Sequence, residues 1–398
     1  MRADPIQAMD FAIAEVTAKT QWIFITLTTA AGLRGTGEAT LNGQDAAVAD
    51  AASGFAPAVF AMPDAVPANL PGQPLASLAR AAAFSAIDQA LWDIAACRAG
   101  VTLAAALGPV RRSAIPLYAN INRRTLDRSP SGFGASARAA LAAGHEAIKI
   151  APFDEATPEA RRRGELAAAI EPGLRRIEAV RAAIGPHRRL MVDCHWRLDE
   201  AAAARVVTAA ADIGVHWVEC PLPETGEQTP AIVRLRTMAN SKGMLLAGCE
   251  QGIGQDGFLP FIRAGAYDVM MPDVKYVGGL AVVLQLAETM RRAGVAFSPH
   301  NPTGPVCHAA SMHVSAVVAD LHSLESQFDE TPLFDALAGQ GMQAVTSGNA
   351  KLSDAPGLGM HLQPVALGRC RGTAWTAKRE NAGYAIDRES IVHGRQDG

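Results

Sequence analysis

Five short apolar runs, each ending abruptly in an ionisable side chain, recur through this chain at a near-constant interval. They are RRLMVDCHW with Asp193, GVHWVECP with Glu219, GMLLAGCE with Glu250, YDVMMPDV with Asp273 and GVAFSPHNP with His300. The steps between those residues are 26, 31, 23 and 27, close to one strand–helix unit of roughly 30 residues in a (β/α)8 barrel of ~250. Such a barrel gathers the C-terminal ends of its strands at one mouth. Three oxygen donors meeting there, Asp193, Glu219 and Glu250, describe a site for a hard divalent cation, Mg²⁺. An Asp and a His on the next two strands describe a base held by a carboxylate. The pattern predicts an enzyme.

The 398 residues accommodate a barrel plus about a hundred residues more. Apolar content of 49% against 19% charged supplies a large core and excludes a disordered chain. A net charge of −3 gives no basic face for nucleic acid or anionic lipid. No apolar run reaches the ~20 residues that span a bilayer. The opening MRADPIQAMDFAIAE mixes acids into its apolar stretch, unlike a secretory signal, so a cytoplasmic protein is expected. Cys194, Cys220 and Cys249 adjoin the three carboxylates and raise the question of a thiolate zinc site. Strand alternation turns neighbours of inward residues outward, which makes these cysteines packing groups.

Residues 21–40 read as a hairpin, and residues 77–107, Ala-rich with apolar positions at helical spacing, read as helices. Together they predict an α+β capping domain over 1–113. The barrel then runs over 114–340, and the tail, 341–398, returns to the capping domain. IPLYANIN (115–122) reads as the first barrel strand, HEAIKI (145–150) as the second, and LHSLES (321–326) as the eighth. Helix is expected from Pro158 to Ile184, and the long step from Lys149 to Asp193 implies an insertion after the second strand.

Several motifs together resemble the enolase superfamily, and within it the mandelate racemase-like subgroup. They are AAFSAIDQALWDIAACRAGVTLAAALG, the series Asp193, Glu219, Glu250, then PDVKYVGG, SPHNPTGP and DAPGLGM. The resemblance spans nearly the whole chain. It implies a (β/α)7β TIM-like barrel capped by an α+β domain built from both chain ends. It further implies Mg²⁺-dependent removal of the proton α to a carboxylate, and a homo-oligomer, dimer or octamer, acting on a small-molecule acid. That chemistry needs positive charge near the substrate carboxylate, because losing the proton adds a second negative charge to one small group. Lys149 is similar to the family's ammonium, His300 to its base and Asp273 to the carboxylate that orients the base.

His195, two residues past Asp193, is expected on the same strand face and therefore in the mouth. The DCHWR segment is similar to the Asp-x-His of galactonate-type acid-sugar dehydratases, which implies that His195 protonates a departing β-hydroxyl. An aldonate or aldarate would become a 2-keto-3-deoxy acid. Racemases of the subgroup carry Lys-x-Lys where this chain has Lys149 and Ala151, which weakens a two-base racemisation. A racemase or epimerase, or a sugar-acid lactone cycloisomerase, stays open as the alternative, and a non-catalytic binder beyond it. Glu325 resembles the family's acid at the eighth strand, where a protonated carboxyl would hydrogen-bond the substrate; a surface acid is the other reading. Lys275 is expected to touch substrate, pair with Glu325 or be solvated. Asn120 and Asn122, ending the first barrel strand, and Lys19 and Trp22 in the hairpin are further candidates for substrate contact.

Overall fold

The computed structural model describes residues 3–18, 20–364, 367, 375–380 and 383–388; Lys19 lies outside them. The chain opens on three antiparallel strands, β1 (Ile6–Glu15), β2 (Gln21–Thr29) and β3 (Arg34–Glu38). The hairpin is β2–β3. Sequence reading missed β1, although its Ile6, Met9 and Phe11 are buried in the cap core. Helices α1 (Asp45–Ala61), α2 (Leu78–Ala99) and α3 (Leu103–Leu107) follow. Ser77 caps α2 by accepting from Arg80 N, and Gly100 ends it in the left-handed region. The Ala-rich α2 is buried on nearly every face. It can lie close on β3 because a Cβ at Gly35 or Gly37 would meet a helix carbonyl oxygen at 2.1 or 1.9 Å.

Eight parallel strands then alternate with helical connections. They are β4 (Ala114–Asn120), α4 (Pro130–Ala142), β5 (Ala147–Ile150), α5 (Pro158–Arg162), α6 (Leu166–Ala169), α7 (Glu171–Ile184) and β6 (Arg189–Asp193). Next come α8 (Glu200–Ile213), β7 (Trp217–Glu219), α9 (Thr229–Ser241), β8 (Leu245–Gly248), α10 (Leu259–Ala264) and β9 (Val269–Met270). The last are α11 (Leu280–Arg292), β10 (Ala296–Phe297), α12 (Pro305–Val317) and β11 (Leu324–Gln327). The strands pair in the order β10-β9-β8-β7-β6-β5-β4-β11. A parallel bridge between Phe297 and Leu321, with His322 N donating to Phe297 O at 2.8 Å, closes the ring. This is a TIM-like (β/α)7β barrel under an α+β cap. The helix expected across Pro158–Ile184 is broken into three pieces, one break falling at Gly164, whose φ of +71° no continuing helix allows.

Beyond the barrel come α13 (Leu333–Ala338) and β12 (Asn349–Lys351), which adds antiparallel to β4. Then β13 (Trp375–Glu380) pairs with β1, and β14 (Gly383–Arg388) pairs with β13. Among the described residues, the tail touches the barrel wall through β12 and joins the opening sheet through β13. No helix among the described residues is long and apolar enough to cross a membrane.

Candidate active site

Asp193 and Glu219 end β6 and β7 as register partners, so their carboxylates stand side by side at the mouth. Glu250 lies two residues beyond β8, after a left-handed Cys249 (φ +64°). The turn absorbs the long 31-residue step and brings Glu250 back. One ligand atom from each of the three lies within 4.8 Å of the others, the one such His/Cys/Asp/Glu group among the described residues. Cys194, Cys220 and Cys249 are buried free thiols, as the packing reading expects.

The electrostatics mark a cluster short of positive charge. Burial, reinforced by neighbouring Asp193 and Glu325, raises Glu219 to about 8 despite Lys149. Burial and the charges of Asp193 and Glu219 push Glu250 well above its usual range. Asp193 goes the other way: burial raises it, but the adjoining His195 holds it near 2. Glu250 Oε2 is buried with no hydrogen-bond partner, a costly condition for a carboxylate oxygen. An all-oxygen, buried, mutually repelling donor set with one orphaned oxygen fits a hard divalent cation.

Lys149, inward on β5 and 1% exposed, places Nζ 2.7 Å from Glu219 Oε1 and 2.8 Å from Glu325 Oε1. Glu325, inward on β11, also accepts from Asn120 Nδ2 at 2.7 Å and from Asn301 N at 3.0 Å. Burial raises its pKa, but Lys149 and His300 outweigh that and hold it low. This corrects two expectations: Glu325 is no surface acid, and its surroundings favour the ionised rather than the protonated form.

His300 Nδ1 lies 2.8 Å from Asp273 Oδ2, and its Nε2 lies 3.4 Å from Glu250 Oε2. Asp273 accepts from Lys275 as well, through N at 2.8 Å and Nζ at 2.7 Å. Lys275 is 2% exposed, so it is neither solvated nor paired with Glu325; its ammonium is spent on Asp273. The reason is local, since residue 273 ends the strand run and the turn after it folds the lysine back over the carboxylate. Lys275 and burial compete at Asp273, and the lysine with His300 keeps its pKa below the usual value.

His195 reaches the site by another route than strand alternation. Strand β6 ends at Asp193, and His195 and Trp196 are both left-handed, φ +47° and +56°. That turn brings the imidazole back, Nε2 2.8 Å from Asp193 Oδ2, while His195 N donates to Asp193 Oδ1. The Asp193 charge raises the His195 pKa against its burial. Asn122 Oδ1 accepts from Arg128 Nη1 at 2.9 Å, so its amide is already engaged. Trp22 is buried edge-on against Phe334, ring centroids 6.0 Å apart. It packs at the seam between the cap and the His300 loop, against Gly304, instead of standing open for substrate contact.

Sequence reading missed Asn301, whose amide donates to His308 Nδ1 and to Glu325 O and accepts from Ser311. It fixes the segment after His300, and its only sequence signal is adjacency to that histidine. A cavity of about 560 Å³ lies outside the barrel wall, lined by His145, His308, Met312 and Phe328 among others. None of the three mouth carboxylates lines it.

Residues 132–366 match the enolase C-terminal domain-like family, and residues 1–108 match the mandelate racemase/muconate lactonizing enzyme N-terminal domain. A D-galactarolactone cycloisomerase from Agrobacterium fabrum is 31% identical over 295 residues, 72% of this chain and 72% of that protein. A D-gluconate dehydratase from Thermoproteus tenax is 29% identical over 300 residues, 74% of this chain; the match spans only 57% of that protein's length. A D-galactonate dehydratase from Xanthomonas axonopodis pv. citri is 26% identical, covering 88% of this chain and 91% of its own. Among solved structures, an enolase protein from the Sargasso Sea environmental genome superposes with a TM-score of 0.78 at 27% identity, covering 95% of this chain and all of that one.

Proposed function

The chain belongs to the mandelate racemase/muconate lactonizing enzyme family of the enolase superfamily, and from that premise we propose that it dehydrates an acid sugar, an aldonate or aldarate, to a 2-keto-3-deoxy acid. One juxtaposition carries the reading. An imidazole nitrogen, His300 Nε2, lies beside the three-carboxylate cluster with its other nitrogen tied to Asp273, and a second imidazole, His195, rests on Asp193.

Asp193, Glu219 and Glu250 would hold Mg²⁺, which when bound supplies the positive charge that makes α-proton loss from a carboxylate tolerable. Asp273 accepts the Nδ1 proton of His300 and so leaves the Nε2 lone pair free to take the α-proton. Lys149 sets an ammonium at the same mouth, held in place by Glu219 and Glu325, to face charge developing on the substrate carboxylate. His195, whose proton the Asp193 charge favours, gives it to the departing β-hydroxyl, which leaves as water. The resulting enol tautomerises to the keto acid. Glu325 and Asn120 border this pocket as an ionised acid and its amide donor. Thr20, just before β2, is tethered by its Oγ1 to Glu330 Oε1 at 2.6 Å, and Glu330 in turn to Arg123. Cytoplasmic residence and self-assembly as a dimer or octamer belong to the same proposal.

The cycloisomerase named among the relatives supports a second reading, ring opening or rearrangement of a sugar lactone after the same proton removal. Racemisation is less favoured because Ala151, beyond the end of β5, offers no second base. The protein with Mg²⁺ is to be incubated with a panel of aldonates, aldarates and galactarolactones. Dehydration yields a keto acid that semicarbazide reports. Deuterium entering Cα from D₂O with no keto acid formed would overturn dehydration in favour of epimerisation, and a lactone isomer seen by NMR would favour the cycloisomerase.

A further inference from the structure

Six non-glycine residues of the described chain have positive φ, and four of them, His195, Trp196, Cys220 and Cys249, sit in the turns just past β6, β7 and β8. Those are the strands that deliver Asp193, Glu219 and Glu250. A side chain with a Cβ is disfavoured in that region, so something in the surroundings has to hold these turns. Cross-strand backbone bonds do part of it: Cys194 N donates to Glu219 O, Trp196 N to Cys220 O and Cys220 N to Ala247 O.

Glu224, five residues past Glu219, does the rest. Its Oε1 accepts from Cys249 N at 2.5 Å, from Tyr267 Oη at 3.0 Å and from Cys220 Sγ at 3.8 Å. The Trp196 side chain lies beside the same carboxyl group, the two lining one cavity with Cys249. One carboxyl group thus collects a donor from each of the turns past β7 and β8 and a third from the residue pair before β9, while the Trp196 N–Cys220 O bond ties the turn past β6 to the one past β7. Space for it is made by Gly248, where a Cβ would meet Glu224 Oε1 at 2.5 Å and the Tyr267 ring at 2.6 Å. None of its bonds goes to Asp193, Glu219 or Glu250 themselves, so whatever it does for them it does through the turns.

We propose that Glu224 is a positioning residue that sets the mutual placement of the Asp193, Glu219 and Glu250 carboxylates, and through it the affinity of this site for a divalent cation. The inference rests on the reading that those three carboxylates hold such an ion. Outer partners that orient metal ligands typically account for 10–100-fold in affinity; Glu224 bonds the turns of Glu219 and Glu250 directly and reaches that of Asp193 through the Trp196 N–Cys220 O bond.

Isothermal titration of Mg²⁺, and separately of Mn²⁺, into the full-length protein tests it, with the EPR spectrum of bound Mn²⁺ as a second readout. The variants are Glu224→Gln, Tyr267→Phe and Cys220→Ala. Glu224→Gln keeps an acceptor for Cys249 N but presents an amide to the remaining donors; the expected loss is about 10–100-fold in Kd, with an altered Mn²⁺ spectrum. Tyr267→Phe and Cys220→Ala leave every mouth charge in place and each remove one donor to Glu224, so each should weaken binding several-fold. Wild-type Kd values in Glu224→Gln would overturn the proposal. So would a loss in Glu224→Gln alone, with both tether variants unchanged, because that pattern reports only a missing charge. If the wild-type protein binds neither ion, the three-carboxylate reading fails first and takes this one with it. Thermal unfolding of the metal-free variants separates a destabilised fold, which lowers Tm without a matching change in Kd, from a misplaced ligand set.

Discussion

Two layers of the same barrel interior, two residues apart along the strands, are chemically opposite. The lower layer is the apolar cluster of Tyr118, Ala147, Met191, Trp217, Ala247, Val269 and Met271. Moving two residues toward the mouth replaces Ala147 by Lys149, Met191 by Asp193, Trp217 by Glu219 and Met271 by Asp273. Both layers are buried. The histidines divide the same way. Beneath the mouth, His216 and His322 face each other Nε2 to Nε2 at 3.0 Å, and burial lowers them to about 4 and about 3. At the mouth, His195 rests on a carboxylate that raises it. The lower layer shows what this interior does when stability alone decides: it packs hydrocarbon and keeps imidazoles neutral. The upper layer carries charge that hydrophobic packing does not need, and that contrast marks the mouth as the working end.

The sharpest way to break the contrast is at His300. His300→Asn removes the base while keeping a polar side chain; turnover should fall by about 10²–10⁴, with Mg²⁺ binding by calorimetry nearly unchanged. Activity at the wild-type level in that variant would end the proposed role. One layer down, Met191→Ala should cost about 2–5 kcal/mol of unfolding free energy in urea, a change of stability before one of chemistry.

Acid distinguishes the two kinds of histidine by sign. Burial holds His145, His308 and His313 near 4, below the ordinary 6.5, so the unfolded chain binds more protons between those values. Stability should therefore rise with pH from about 4 to 6.5 and be lost on the way down. Each fully contributing histidine adds up to about 1.4 kcal/mol per pH unit. His195 runs opposite in the metal-free protein: its raised pKa stabilises below 6.5, and that contribution fades as pH climbs through the folded value. Urea midpoints measured across pH 4–8 for the wild type and His195→Gln resolve the two signs. The smallest expected effect is at Glu250, whose Oε2 has no hydrogen-bond partner, with His300 Nε2 beside it at 3.4 Å. Glu250→Gln should stabilise the metal-free fold by about 1 kcal/mol, since it relieves a buried, like-charged carboxylate, yet abolish cation binding; a lower metal-free Tm would contradict the uncompensated-charge reading.

Much of this site was legible in the chain because it is written at strand ends. Asp193 and Glu219 close their strands as the apolar runs imply, and Lys149 lies inward on the second strand. His300 and Asp273 meet at 2.8 Å. Less legible was anything that depends on a turn. His195 is delivered by a left-handed turn and not by strand alternation, and Glu250 lies outside its strand. Strand β1 escaped notice because acids interrupt its apolar residues and a bulge near Ile6 breaks its alternation, and Trp22 turned out to be packed where a substrate contact had been expected.

What the sequence determined by itself is periodic: strand spacing, inward-facing alternation and the residue that ends each run, all fixed by neighbours along the chain. What only the tertiary structure decided is pairing across strands. That includes Lys275 on Asp273, the ionised surroundings of Glu325, the orphaned Glu250 oxygen and the three donors converging on Glu224. The reason is physical: the energy of a buried charge depends on which groups lie within a few ångströms, and barrel closure brings together residues that lie far apart in the chain.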